Sequence, residues 1–379
     1  MTFSFFLVAT FLFSCNNISE DNIIRDEESK ESHVMSQTEA ESELLRFINP
    51  SGNTKSDIIF KIAGCNFRDY QISDTQSELE VIDSTPTETV RVFEFTTLTN
   101  GKEGYSLVIG DSRIEKVLLS VEYGSPADTN LIYPLKLFFR SIPDIIKEDL
   151  KNYNSGERTI SIQTKAVVFH EESKLSTRWS QKYPYNALCP SSTCSPLECN
   201  NHYPTGCVPL AIAQILAYHG KPSNLSWTSI LAGPTVPTNA SSTVINQIAG
   251  LIANIGSSVS VSYGCTASGV SPSLTPTVVP ATFRSYGMTH GSWQGFSLFE
   301  IKYSLLNQMP VYMEGFSSGN GHAWVCDAYK IHDGMYDYLH MNWGWGGTSN
   351  GYFYISNSLS FNTGNYNYNQ DFRMLPNIR

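Results

Sequence analysis

The sequence predicts an α+β protein built as two globular parts, and three observations carry that reading. The first is size and composition: 379 residues, 41% hydrophobic and only 16% charged, enough to bury two cores. The second is a block of β-rich runs, RVFEFTTL, GYSLVIGD and KVLLSVEYG, spaced by the short polar stretches TNGKE and SRIE as in an antiparallel meander. The third is a shift near residue 166 to a region rich in Pro, Ser, Tyr and Trp. One wholly apolar helix stands there ahead of several strands.

In chain order, residues 1–15 read as an export signal. MTFSFFLVATFLFS is apolar but too short to span a bilayer, and it stops at Cys15. The ending LFSC is similar to the lipobox of bacterial lipoproteins, which implies acylation of Cys15. Residues 16–40 are acidic and polar and read as a solvated tether. Residues 41–165 hold the meander and LKLFFRSIPDIIKEDLKNY, a helical pattern in which Pro143 marks a break or a fresh start. NSGERTISIQT, with its glycine turn, reads as an exposed junction. Residues 166–379 form the second part. Its main helix runs from Val208 to Tyr218, with Thr205 placed to cap it and Gly220 to stop it. TVINQIAGLIANIGSSV is a second helix, and VYMEGF to GYFYIS reads as successive antiparallel strands, so a helical half faces a sheet half.

The chemistry starts at Cys207, directly after Gly206 at the mouth of the buried helix. A helix N-terminus favours the thiolate, because orphan N–H groups and the positive dipole end lie beside the sulfur. A base is then required. His219 is twelve residues along the same helix, about 18 Å away, and cannot reach. His33 and His170 lie in the tether and near the junction, which leaves His202, His290, His322, His332 and His340. His322 is best placed, because GNGHAWVCDAY begins a strand after a glycine-rich turn.

That strand has a readable partner. Asp333-Gly334 is a two-residue hairpin signal, and pairing His332 with Met335 sets His322 opposite Trp345 and Asn342 opposite Val325. Alternation then gives Trp343 and Trp345 the face of His322 and turns Asn342 away, unless a bulge at Gly344 reverses the assignment. An indole beside the imidazole would shield its hydrogen bonds and orient the ring.

Charge and cysteines exclude other classes. Net charge is −10, with −7 of it in residues 20–43, and no basic patch points to nucleic acid. Setting Cys15 and Cys207 aside leaves Cys65, Cys189, Cys194, Cys199, Cys265 and Cys326, with pairing open and disulfides permitted on an export route. CPSSTCSPLEC is spaced wider than a usual zinc half-site, and neither a metal nor an organic cofactor is expected.

TGCVPLAIAQILAYH, GHAW and HMNWGWGG, in that order, resemble the streptopain family (C10) of papain-like cysteine peptidases over most of residues 166–356. The resemblance implies a two-lobed papain-like catalytic domain, helical lobe against antiparallel β lobe, behind a small α+β propeptide domain at residues 41–165. It implies Cys207 as nucleophile and His322 as base. Gln181, in SQKYPYN, would share the oxyanion hole with the Cys207 backbone N–H, and the histidine would be supported from the Trp343, Trp345 and Asn342 segment. It also implies a zymogen cut within residues 154–166, with protein or peptide substrates and its own propeptide as intramolecular inhibitor. The stretch from Cys207 to His322 is shorter than in the streptococcal type enzyme, and the tail lacks that enzyme's glycine-rich loop, so substrate-contacting loops differ. Contact with a membrane is expected only through a lipid anchor. The alternative weighed against this is a non-catalytic surface lipoprotein that binds a protein partner through the same cleft. A transglutaminase-like acyltransferase ranks third, because no acidic residue takes the NWGWGG position.

Overall fold

The structure, a computed structural model, describes residues 33–49, 60–72, 88–127, 133–156, 169–170, 173–317, 320–333, 336–355, 362–363, 366–367 and 372–379. The signal segment with Cys15, the first half of the tether and most of the expected cleavage stretch lie outside them. Among the described residues, no helix is long and apolar enough to cross a membrane.

Structure begins earlier than the composition suggests. The tether was expected to run to residue 40, yet Val34 bridges Asp111 and helix α1 spans Gln37–Ile48. Its start is a capping box: Ser36 accepts from the Glu39 N–H, and the Glu39 carboxylate accepts from the Ser36 N–H. The S-x-x-E signal was present in the sequence, hidden within an acidic run. Ala40, Leu44 and Phe47 then recur at helical spacing and are fully buried.

Strands β1 (Phe60–Ile72), β2 (Glu88–Thr99), β3 (Lys102–Ile109) and β4 (Lys116–Val121) form the meander, with β1 an addition to the three runs read from sequence. Helix α2 (Tyr133–Asn154) runs through Pro143 without ending there. After β5 (Phe169–His170) come the helices of the second half. These are α3 (Cys207–Tyr218), the short α4 (Trp227–Ile230), α5 (Ser242–Ser258) and α6 (Thr275–Ser285). Strand β6 (Gln294–Gly295) and helix α7 (Leu298–Leu306) lead into the central strands β7 (Val311–Ser317), β8 (Asn320–His332), β9 (Tyr336–Asn342) and β10 (Gly351–Ile355). The pair β11 (Asn362–Thr363) and β12 (Tyr366–Asn367) stands apart, and β13 (Arg373–Leu375) returns to the sheet beside β7.

The two halves share one sheet. Eleven of the described strands lie in it, in the order β1-β2-β3-β4-β10-β9-β8-β7-β13-β6, with β5 beside β8. The join is the antiparallel pair β4–β10, where Gly351 faces Val121. A Cβ at residue 351 would sit 2.1 Å from the Ser120 carbonyl oxygen, so only glycine admits this approach. One core, including Phe47, Leu119, Ile146, Trp324 and Tyr338, runs from the N-terminal layer under the central strands. A second core packs α3 and α5 on Tyr312, Ala323 and Val325, the alternate residues of β7 and β8.

The seam between the layers is ionic as well as apolar. Glu43 and Arg46 of α1 meet His332 and Asp333 at the end of β8, with His332 Nε2 2.9 Å from Glu43 Oε1. Lys330 Nζ donates to the Phe47 carbonyl at 2.9 Å and lies over the Phe47 and Tyr352 rings. Arg178 pairs with Glu122 at 2.8 Å, just past β4. His340 donates from Nδ1 to Asp327 at 2.6 Å and has Glu122 3.6 Å from Nε2.

Candidate active site

Cys207 is the first residue of α3, and Val208 to Ala217 behind it are all buried. Gly206, not Thr205, occupies the cap position, with φ 85°; the Thr205 hydroxyl instead donates to the Gly206 carbonyl. Three N–H groups bear on the half-buried sulfur: Ala323 of β8, then those of Cys207 and Val208. The Ala323 contact fixes the helix mouth against the strand that carries His322. Burial is nevertheless the largest influence on the thiol. It pushes Cys207 up despite the three donors, and the Glu314 carboxyl adds to the rise.

His322 sits at the start of β8, opposite Gly315 of β7. Its Nε2 lies 2.8 Å from the Trp343 carbonyl oxygen. A carbonyl only accepts, so Nε2 carries the proton and Nδ1 keeps its lone pair. Burial pushes the imidazole down to about 4, and the Trp343 carbonyl works against that by holding the proton. Near neutral pH the pair in this structure is therefore thiol and neutral imidazole. The helix N-terminus alone does not hold the sulfur ionised here, because burial outweighs it.

Three indoles surround the ring. Trp343 and Trp345 have centroids 6.3 and 6.1 Å from it, and Trp324, two residues along the same strand, lies nearly parallel at 6.3 Å. Trp324 was missed in the sequence reading, although the two-residue period of a strand pointed to it. Trp343 supports the histidine through its main chain, while its indole donates to the Ser349 carbonyl. Asn342 points away from His322, in keeping with the alternation read from the sequence. Its amide donates to the Thr177 carbonyl and its Oδ1 accepts from the Gly344 N–H, because it projects toward the α3 side of the sheet.

The hairpin register at the site is the expected one, reached differently. His332 faces Tyr336, one residue beyond the expected partner, and an irregularity at Asp327 restores the pairing of Val325 with Asn342. Gly334 and Met335 of the turn lie outside the described residues. Gly344 has φ 73°, and a Cβ there would stand 2.9 Å from Leu210, so the chain turns tightly against α3.

Gln181 is half-buried, and its carbonyl accepts the Thr205 N–H at 3.0 Å, two residues before Cys207. The other histidines are engaged elsewhere: His202 Nδ1 lies 2.7 Å from the Cys189 carbonyl, and His290 beside Arg284. Among the described residues one disulfide is formed, Cys194–Cys265. Glu314 was not anticipated. It is fully buried on β7 across from Ala323, accepts from Thr275 Oγ1 at 2.7 Å and Tyr312 at 2.9 Å, and burial pushes it up to about 7.

A thiol at a helix mouth, an imidazole held by a main-chain acceptor and helices packed on an antiparallel sheet define a papain-like cysteine peptidase. The chain belongs to the peptidase C10 family, whose sequence profile matches residues 179–353. It is 30% identical to streptopain of Streptococcus pyogenes serotype M1 over 289 residues, 66% of this chain and 71% of that one. It is also 28% identical over 229 residues to the thiol protease/hemagglutinin PrtT of Porphyromonas gingivalis, 51% of this chain and 25% of that one. In fold it is similar to a fragment of Prevotella intermedia prointerpain A carrying a cysteine-to-alanine substitution. That match has TM-score 0.52 at 17% identity and covers 82% of this chain and 98% of the other. The protein is a cysteine-type endopeptidase.

Proposed function

We propose that this chain is an exported zymogen whose residues 41–165 are a removable propeptide and whose catalytic pair is Cys207 and His322. The observation that carries the pair is the 2.8 Å contact from His322 Nε2 to the Trp343 carbonyl, which leaves Nδ1 to act as base. Cys207 loses its proton to His322 Nδ1, and the thiolate attacks the scissile carbonyl. The tetrahedral oxyanion is held by the Cys207 N–H and the Gln181 amide. His322 then protonates the leaving amine, and the acyl-enzyme is released by water that the same imidazole deprotonates. Activation is a cut within residues 154–166 that frees the second half from the N-terminal layer bonded to its β10 edge and to the turn at residues 349–350.

Export rests on the apolar run at residues 1–14, and anchoring at an outer membrane or cell surface on acylation of Cys15. Substrates are proteins or peptides, and the prosegment is the intramolecular inhibitor. The test is casein cleavage and self-maturation by Cys207→Ala and His322→Ala, each expected to fall at least about 1,000-fold. Wild-type rates in either variant would remove the Cys207–His322 assignment, and a wild-type chain that neither cleaves casein nor reacts with iodoacetamide at Cys207 would favour a non-catalytic surface lipoprotein.

A further inference from the structure

The acceptor that orients His322 is a main-chain oxygen, so no side chain at position 343 supplies it. What matters is which groups hold that peptide in place. The Trp343 carbonyl and the Gly344 N–H belong to one rigid peptide plane. Asn342 Oδ1 accepts that N–H at 3.2 Å, while the Asn342 amide is anchored 2.7 Å from the Thr177 carbonyl. Thr177 is in turn fixed by its hydroxyl to Gln214 of α3 at 2.9 Å. On the other side, Asn350 Oδ1 accepts the Trp343 N–H at 3.0 Å, which fixes the preceding plane. Both asparagines are buried, 1% and 3% exposed, so water does not compete for either bond.

We infer that Asn350 is a positioning residue for the peptidase reaction, clamping the Trp343 main chain from one side while Asn342 clamps it from the other, so that the Trp343 carbonyl meets His322 Nε2. The inference rests on His322 being the base. Asn350 also touches the N-terminal layer: its own carbonyl accepts the Glu122 N–H at 2.9 Å, and Ser349 N–H donates to the Tyr123 carbonyl at 2.7 Å. The end of β4 therefore bonds to the same turn that aims the histidine.

The test compares the full-length chain with Asn350→Ala, which deletes the acceptor, and Asn350→Asp, which keeps an oxygen there. Three readouts are taken: the protected His322 Nε2 proton by NMR of 15N-histidine-labelled protein, the self-maturation rate, and kcat and KM on a casein-derived peptide after maturation. Asn350→Ala is expected to expose the Nε2 proton to exchange and lower kcat about tenfold, the effect of one lost buried hydrogen bond, with KM nearly unchanged. Asn350→Asp is expected to restore most of both. If the alanine variant fails to fold, Asn342→Asp against Asn342→Leu reads the opposite side of the clamp in the same way. Wild-type kcat and a protected proton in Asn350→Ala would overturn the inference, as would equal impairment of the alanine and aspartate variants. A wild-type chain that neither matures nor cleaves would sink the peptidase reading instead, and the imidazole proton would still decide this one.

Discussion

His322 and His340 are buried to nearly the same degree, 6% and 3% exposed, yet they stand at opposite ends of the titration range. At the cleft, His322 has one uncharged main-chain acceptor, and burial pushes it down to about 4. At the seam, burial also pushes His340 down, but Asp327 and Glu122 outweigh it and raise the imidazole to about 10. Burial decides the protonation state wherever no countercharge answers it. The cleft is kept neutral, and the seam between the layers is kept ionic.

The sharpest way to break this contrast is to remove the countercharge. Asp327 is fully buried and accepts from His340, the Ser173 hydroxyl and the Leu175 N–H. Asp327→Ala strands a buried imidazolium and is expected to cost about 3–5 kcal/mol in urea unfolding. A loss below 1 kcal/mol would mean that the seam is not ionic in solution.

A smaller effect follows from pH. His340 is raised above its ordinary 6.5, so its contribution is fully present below pH 6.5 and is lost as pH rises through about 10. Glu43 and Glu122 each feel burial first, which pushes them up. His332 and Arg46 outweigh it for Glu43, and His340 and Arg178 for Glu122, so both carboxyls are held low. Their contribution is present above about pH 4.5 and fades as pH falls further. Thermal melting of the full-length chain should therefore peak between these limits. His340→Gln should flatten the alkaline side, and an unchanged slope in that variant would exclude His340 as its source.

The smallest effect is at the cleft. Glu314, pushed up to about 7 by burial, becomes a carboxylate above that pH and then opposes ionisation of Cys207. Tyr312 and Thr275 contact the same carboxyl, and Arg373 lies 3.8 Å from it. Glu314→Gln should shift the pH inflection of Cys207 alkylation by iodoacetamide to lower pH, by less than about one unit. A shift the other way would mean that Glu314 acts on the imidazole instead.

Much of the site was legible because it rests on local patterns. The apolar run from Val208 fixes a buried helix, and the Gly-Cys step puts the sulfur at its mouth. The hairpin register survived because two one-residue offsets, at the turn and at Asp327, cancel before the strand reaches Val325. What was not legible depends on contacts between distant segments. A main-chain acceptor such as the Trp343 carbonyl leaves no letter in the sequence, and only the fold shows that Asn350 reaches back seven residues to hold it. Helix α6 carries two prolines in TPTVVPATFRS, which weaken any local helix signal, and Val279 and Phe283 bury it. Glu314 had no local signal, because nothing in VYMEGF announces that Thr275 and Tyr312 close over it.

The glycine at position 351 has a consequence for the life of the molecule. It lets β4 lie so close that the sheet runs on without a break, and the amides of β10 are met by its neighbour. If the proposed cut removes that neighbour, β10 becomes a raw border, with main-chain groups and the rings of Tyr352 and Tyr354 beside it. Such borders recruit other strands. On that reading the uncut chain is the form suited to storage, and a copy that has lost its first layer is tacky along one side.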